Sequence, residues 1–394
     1  MTHATGSRAD EAAVREVLAT APVFDGHNDL PMALRTGWGS DIAAAHLDTG
    51  NDRLHTDLPS LRAGGVGAQF WSVYVPSDQD PAGAVVQTLE QIDCVHRLVE
   101  AFPDDLVLAR TAGDVRVAFE EGRIASLLGM EGGHSIDSSL GTLRMMRRLG
   151  VAYMTLTHND NTPWSASATG DPVDFGLTDF GREVVREMNR IGMLVDLSHV
   201  HHRTMHDALD VSTRPVIFSH SSCRAVVDHP RNVSDDVLAR LAVNGGVQMV
   251  TFVPAFVSEA CAADAASADQ KRAELGLPPR PAPRGPETVS PEEDEGERAF
   301  ASWRAQNPVI EASVDDVVAH VEHARDVAGI DHIGLGGDFD GIPFGPRGLS
   351  RVSDYPNLLG ALAQRGWSEG DLAKLTSENI TRVLADAEPL PAKS

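Results

Sequence analysis

Six short segments carry the side chains able to do acid, base or metal chemistry. They are Asp25-Gly26-His27-Asn28-Asp29, Glu131-Gly132-Gly133-His134, His158, Asp196-Leu197-Ser198-His199, Ser219-His220-Ser221-Ser222 and Gly337-Asp338-Phe339-Asp340-Gly341. Histidine and carboxylate donors without thiolates suit Zn²⁺, and equally Mn²⁺ or Fe²⁺. His27, Asp29, Glu131, His199, His220 and Asp338 outnumber what one open tetrahedral site can use. Two ions roughly 3.5–4 Å apart, sharing a carboxylate and a hydroxide, use them economically. His27 and Asp29 are two residues apart, which on a strand puts both on one face, as a chelate requires.

Each segment closes a short apolar run. APVFDGHNDL, GVGAQFWSVYV, RIASLLGMEGG, VAYMTLTH, GMLVDLSH, RPVIFSHSS, GGVQMVTFVP and HIGLGGDFDG read as eight strands buried on both faces. Stretches of helical periodicity separate most of them, among them AVVQTLEQIDCVHRLVEAF, SLGTLRMMRRLG, FGREVVREMNRIG, HRTMHDALDVS, SDDVLARLAVNGG and SVDDVVAHVEHARDVAG. Several stop at glycine, at Gly150, Gly192 and Gly329. Eight strands alternating with helices point to an α/β fold, a closed (β/α)8 TIM barrel, with an open doubly wound sheet as the alternative. In a barrel all the strand C-termini open on one face, so the scattered chemical residues converge. The whole of residues 1–394 is expected to form one barrel domain. Residues 258–308, with Pro and acidic clusters and weak helical patches, interrupt the rhythm after the seventh strand and are expected to be an insertion at the rim or a lid.

Charge and composition narrow the function. The 394 residues carry 57 Asp+Glu against 33 Lys+Arg, a formal net charge of -24, which argues against nucleic-acid partners and against docking on an anionic membrane. Cys94, Cys223 and Cys261 are odd in number and far apart, so neither a disulfide framework nor a CxxC metal knuckle is expected. The N-terminal stretch lacks a basic-then-apolar secretory pattern, EPLPAKS is no anchor tail, and the apolar run near Gly246 to Val257 is too short to span a bilayer. A soluble, cytoplasmic protein is the expectation, with a homodimer left open.

Other motifs carry less. His201 and His202 open a helix and are expected to face solvent; His320 and His323 sit at i,i+3 on an amphipathic helix and suit exposure or packing. His134 fits a support for the Glu131 turn, and Asp340 a structural role in the turn after Asp338. GLGGDF is not a GxGxxG fingerprint, DFDG lacks the rest of an EF-hand loop, and no GxSxG elbow exists.

Taken in order, DGHNDLP, GMEGGHSI, TLTHNDNTPW, VDLSHV, VIFSHSS, PRNVSDDVL and GLGGDFDG resemble the membrane (renal) dipeptidases and their bacterial homologues, of the metal-dependent amidohydrolase superfamily. The resemblance runs from about Asp25 to SENITRVL near the C-terminus. It implies that His27 and Asp29 ligate one zinc, that His199 and His220 ligate the other, and that Glu131 bridges both. It implies that His158 polarises the scissile carbonyl and that Arg231, in PRNV, receives the substrate's α-carboxylate. Asp338 would shuttle a proton from the attacking water to the leaving amine. The implied reaction is hydrolysis of small dipeptides, L-Xaa-L-Xaa and L-Xaa-D-Xaa, by a hydroxide bridging two zinc ions. The animal members' signal peptide, lipid-anchor tail and cystine pattern have no counterpart here, and residues 258–308 look longer than theirs. A binuclear centre acting on N-acyl amino acids or lactams is the neighbouring alternative, and a catalytically silent metal-binding barrel the remote one.

Overall fold

The computed structural model describes residues 8–278 and 295–388. Among the described residues the strands are nine, all parallel: β1 (Val23–Asn28), β2 (Val66–Ser72), β3 (Leu106–Leu108), β4 (Ile124–Glu131), β5 (Val151–Thr155), β6 (Leu194–Asp196), β7 (Ile217–Phe218), β8 (Val247–Val250) and β9 (Ile333–Leu335). Eight of them close a ring in the order β1-β2-β4-β5-β6-β7-β8-β9, with Asp25 of β1 pairing Leu335 of β9. This is the expected (β/α)8 barrel. The eight apolar runs supply its eight ring strands.

The ninth strand, β3, was not expected from the sequence. It pairs Leu106 with Ile124 and Leu108 with Ser126, while β5 takes over β4 from Leu128 onward. Since β2 holds the opposite edge of β4 at Ala125 to Gly129, β3 and β5 share one edge and β3 adds no ring position.

Phe24, Phe70, Tyr153, Leu194, Ile217 and Met249 come from six different strands and touch in one buried cluster. Six strands of a closed ring can do that only inside it, so the barrel is a packed core. A larger cluster, including Leu34, Leu98, Leu143, Val184, Leu238 and Leu358, joins the sheet to the surrounding helices. Those helices follow their sequence signals. Leu140–Leu149 is capped by Ser139, whose side chain accepts from Thr142 N, and ends at Gly150, with φ 114°. Asp179–Ile191 ends at Gly192, with φ 69°, another left-handed position that a side chain would strain.

The segment 258–308 is more helical than its composition suggests. Glu259–Glu274 and Glu295–Gln306 are helices, and Ala268, Leu277 and Phe300 form a small cluster between them. Arg272 joins the two through Glu297 at 2.8 Å and lies over the Phe300 ring. Charged residues that read as loop composition therefore tie two helices together. Residues 279–294 of that segment, and the terminal residues 1–7 and 389–394 used above, lie outside the described residues. Among the described residues no helix is long and apolar enough to cross a membrane.

Candidate metal and catalytic centre

The ring brings the chemical segments to one end. Glu131 is the last residue of β4 and is 4% exposed. Around its two oxygens lie His199 Nε2 at 3.0 Å, His220 Nε2 at 3.4 Å, His27 Nε2 at 3.5 Å and His158 Nε2 at 3.9 Å. His199 and His220 approach each other Nε2 to Nε2 at 2.9 Å. His27 Nε2 lies 3.2 Å from Asp29 Oδ2. Three overlapping sets of donors result: His27 with Glu131 and His220, Glu131 with His158 and His199, and His27 with Asp29 and Asp338.

Asp29 reaches this position by a different route from strand alternation. β1 ends at Asn28, its register with β2 shifts between Asp25 and Asn28, and Asp29 (φ -93°, ψ 19°) caps the helix Leu30–Trp38. The turn, not the pleat, faces its carboxylate to His27. Gly341 faces the same pair: a Cβ there would collide with the carboxylates of Asp29 and Asp338.

Two hydroxyls set the histidine tautomers. Tyr153 OH lies 2.8 Å from His27 Nδ1 and donates to Gly26 O at 3.3 Å, so it accepts the Nδ1 proton. Ser219 Oγ donates to Asp196 Oδ2 at 2.7 Å and lies 2.8 Å from His220 Nδ1, so it accepts likewise. Asp196 is itself held by the Ser198 and Ser219 amides and the Thr155 hydroxyl. Both rings then present bare Nε2 lone pairs to carboxylates. Acceptors facing acceptors in a buried site repel unless a cation lies between them.

Electrostatics agree with that reading at His199 and His220. At His27 burial pulls downward, but Tyr153, Glu131 and Asp29 overbalance it and hold the ring well above its usual value, so its surroundings favour a positive charge there. Burial, with Arg231 and His158 alongside, holds the His199 imidazole well below its usual value, and burial with His27 alongside does the same to His220. Neutral rings are the ligating form. Burial pulls the Glu131 carboxyl upward, but His27 and His158 overbalance it and hold the group well below the carboxylate range. Burial, with Asp29 and Glu131 nearby, outweighs the opposing pull of His27 and Arg231 and pushes the half-buried Asp338 well above that range.

The residues fit divalent metal. His27 Nε2 and Asp29 Oδ1 are buried with no hydrogen-bond partner among the described residues. Donors about 2.0–2.1 Å from a tetrahedral ion lie about 3.3 Å from one another. The separations around Glu131 and His27, 3.0 to 3.5 Å, match this edge length.

Arg231 is 3% exposed, makes no ion pair within 4 Å among the described residues, and lies 5.3 Å from the Phe256 ring centre. Its Nη1 donates to Ser221 Oγ at 3.5 Å, a long hydrogen bond. Burial pulls it down to about 10, against the opposing pull of Asp338 and Glu131. A buried guanidinium without an ion pair has its fork of donors available to an anion.

Several supporting roles escaped the sequence reading, although Asp196 and Ser219 stand in the segments named there. Tyr153, Ser219 and Asp196 sit within or beside ordinary apolar strands, and only strand register brings them to the histidines. Tyr74, just past β2, packs its ring 4.6 Å from that of His158. His134 hydrogen-bonds Val75 O through Nε2 at 2.9 Å and ties the turn after Glu131 to β2's exit. Asp340 accepts from His55 N at 2.8 Å while its own amide donates to His55 Nδ1, the structural role expected for it. His320 is buried, accepting from Cys223 N. His202 does not simply face solvent: it meets His206 and Asp236.

Comparison with known proteins agrees with this geometry. A family model described as Membrane dipeptidase (Peptidase family M19) matches residues 11–394. The structure is similar to that of the probable dipeptidase PvdM from Pseudomonas aeruginosa, with a TM-score of 0.81 and 25% identity over 97% of this chain and 99% of that one. It is similar also to a metallopeptidase from Rhodobacter sphaeroides, liganded with a phosphinate mimic of the dipeptide L-Ala-D-Ala. There the TM-score is 0.74, with 25% identity over 93% of this chain and 99% of that one. A match across nearly the whole chain, on a barrel whose strand ends gather these donors, makes the chain a member of the membrane dipeptidase family, peptidase family M19, and a metal-dependent dipeptidase.

Proposed function

We propose that this dipeptidase hydrolyses L-Xaa-L-Xaa and L-Xaa-D-Xaa dipeptides at a centre of two zinc ions. His27, Asp29, Glu131, His199 and His220 would hold them, with Glu131 shared. Two divalent ions there would supply Lewis acidity and a water acidified towards neutrality.

The chain's own residues do the rest. Arg231 grips the substrate's α-carboxylate, so the C-terminal residue is fixed by its backbone and its configuration matters little. His158, half-buried beside Glu131, steadies the carbonyl oxygen as negative charge develops on it. Asp338 takes a proton from the attacking water and delivers it to the departing nitrogen as the peptide C–N bond breaks. The products are two free amino acids. Tyr153 and Ser219 keep the Nδ1 protons of His27 and His220 in place throughout.

The observation carrying this reading is the unpaired, buried Arg231 close to the donor cluster. A free carboxylate completes that site, and a dipeptide has one within reach of its only peptide bond. The relative from Rhodobacter sphaeroides, solved with a mimic of L-Ala-D-Ala, supports the same substrate class. The test is a dipeptide panel of both C-terminal configurations, run with metal counted by elemental analysis. Hydrolysis of both, with about two zinc ions per chain, is expected. Full activity in a verified metal-free preparation overturns the centre; activity on N-acyl amino acids exceeding that on dipeptides overturns the substrate class.

A further inference from the structure

A second group of metal-type donors lies outside the barrel centre. His202 and His206 are one turn apart on the helix His202–Val211, and Asp236 is on the next helix, Asp235–Asn244. His202 Nε2 and His206 Nε2 are 3.1 Å apart. Asp236 Oδ2 lies 2.9 Å from His206 Nε2 and 3.7 Å from His202 Nε2. We propose that His202, His206 and Asp236 form a peripheral site for a divalent transition-metal cation, distinct from the barrel centre.

Three lines of geometry support the proposal. The three separations bracket the edge of about 3.3 Å expected between donors around a tetrahedral ion. The surroundings of His202 leave its Nε2 free to ligate: Ser234 Oγ lies 3.3 Å from Nδ1 and can accept its proton. An acceptor for the other ring N–H is what fixes a ligating histidine's tautomer. Finally, the donors are partly open, with side chains 41%, 31% and 58% exposed, so an ion reaches them and water completes its coordination.

The donor set selects the ion. Two imidazoles and one carboxylate suit Zn²⁺, Ni²⁺, Co²⁺ or Cu²⁺ and not Mg²⁺ or Ca²⁺, which want oxygen alone. One neighbour opposes binding. Arg240 Nη1 lies 2.7 Å from His206 Nδ1 and must leave when that nitrogen carries the proton. It has other acceptors: His206 O lies 3.5 Å from Nη1, and Asp210 already holds Nη2.

Occupancy would have a structural effect. The helix bearing His202 begins three residues after His199, and Asp236 lies five residues after Arg231. A cation here clips together the two helices that follow the loops carrying a proposed barrel ligand and the proposed carboxylate receptor.

The experiment uses the full chain already loaded with its barrel metal. Wild type and the double variant His202→Ala/His206→Ala are dialysed against Ni²⁺, then counted for total metal, with Mg²⁺ as a control. Wild type should retain about one more ion per chain than the variant, and Ni²⁺ should raise its Tm further. The difference is read against the same barrel centre, so it stands whether that centre holds one ion or two. Equal counts overturn the proposal, as does an equal gain with Mg²⁺. Arg240→Gln, which offers His206 Nδ1 an acceptor, should tighten Ni²⁺ binding. Weaker binding in that variant overturns the assigned geometry. Retained dipeptide hydrolysis checks that each variant is folded.

Discussion

Tyr153 and His27, 126 residues apart, meet across the barrel through a 2.8 Å hydrogen bond at Nδ1, with His27 Nε2 facing Asp29 and Glu131. A ligand held in one tautomer binds metal more tightly than one free to tautomerise and turn. Tyr153→Phe keeps the buried volume but removes the acceptor. Metal affinity, read by competition with a chelator, should fall by about 10–100-fold with little change in Tm. An unchanged affinity would show that the ring is held by packing alone.

Arg231 should matter in proportion to the substrate's charge. A guanidinium grips a carboxylate with two parallel hydrogen bonds, a fork that lysine cannot copy. Losing one member of a buried charge pair costs roughly 2–5 kcal/mol. Arg231→Ala should therefore depress kcat/KM for dipeptides far more than for the same dipeptides as C-terminal amides, and Arg231→Lys should recover only part. Equal losses on acid and amide would remove the carboxylate from the site.

Asp338 separates proton transfer from ligation. It stands in the left-handed region at φ 61°, a position asparagine tolerates as well as aspartate does. General acid–base groups contribute about 10²–10⁴ in rate. Asp338→Asn should lower kcat by about that factor, leaving KM and metal content near wild type. If an ion is lost instead, Asp338 is a ligand, consistent with its place beside His27 and Asp29.

Acid should weaken the fold through His320, which is outside the donor cluster. Its Nδ1 accepts from Cys223 N at 2.9 Å and its Nε2 faces Val257 O at 3.3 Å, an arrangement complete only when the ring is neutral. Burial pulls it down from 6.5 to about 4. Below pH 6.5 the unfolded chain takes up a proton that the folded chain refuses until about pH 4, so stability falls as pH drops through that window. The loss is on the order of 3 kcal/mol. Denaturant midpoints across pH 4–7 should fall less steeply in His320→Gln than in wild type, by about one proton. Parallel slopes would refute the assignment.

How far the sequence could be read depended on whether a feature is local. Apolar runs ending in His, Asp or Glu announce barrel strands and their chemical ends together, so the ring and the cluster around Glu131 were both visible. β3 was not: three residues, Leu106–Leu108, directly follow Pro103-Asp104-Asp105 and carry too little pattern to stand out. The helices Glu259–Glu274 and Glu295–Gln306 were obscured because ion pairs such as Arg272–Glu297, joining distant residues, replace an apolar stripe. Tyr153 and Ser219 were hidden for a related reason. A tyrosine or serine within a strand gives no sign of which imidazole it will meet, since that depends on the register of strands far away in the chain.

The ring closes where β1 meets β9. Asp25 pairs Leu335 and its Oδ1 accepts from Gly337 N, while Asp29 N donates to Phe339 O. During synthesis, a ribosome that has made β1 through β8 has made most of the donors, yet His27 and Asp29 still lack the wall that fixes them. More than 300 residues must emerge before Gly337 reaches Asp25. Such distant closure is slow, and it comes late on a growing chain. Peptide-cleaving power would thus be withheld from the nascent chain until its last barrel strand docks, so that the order of synthesis itself times when the centre is complete.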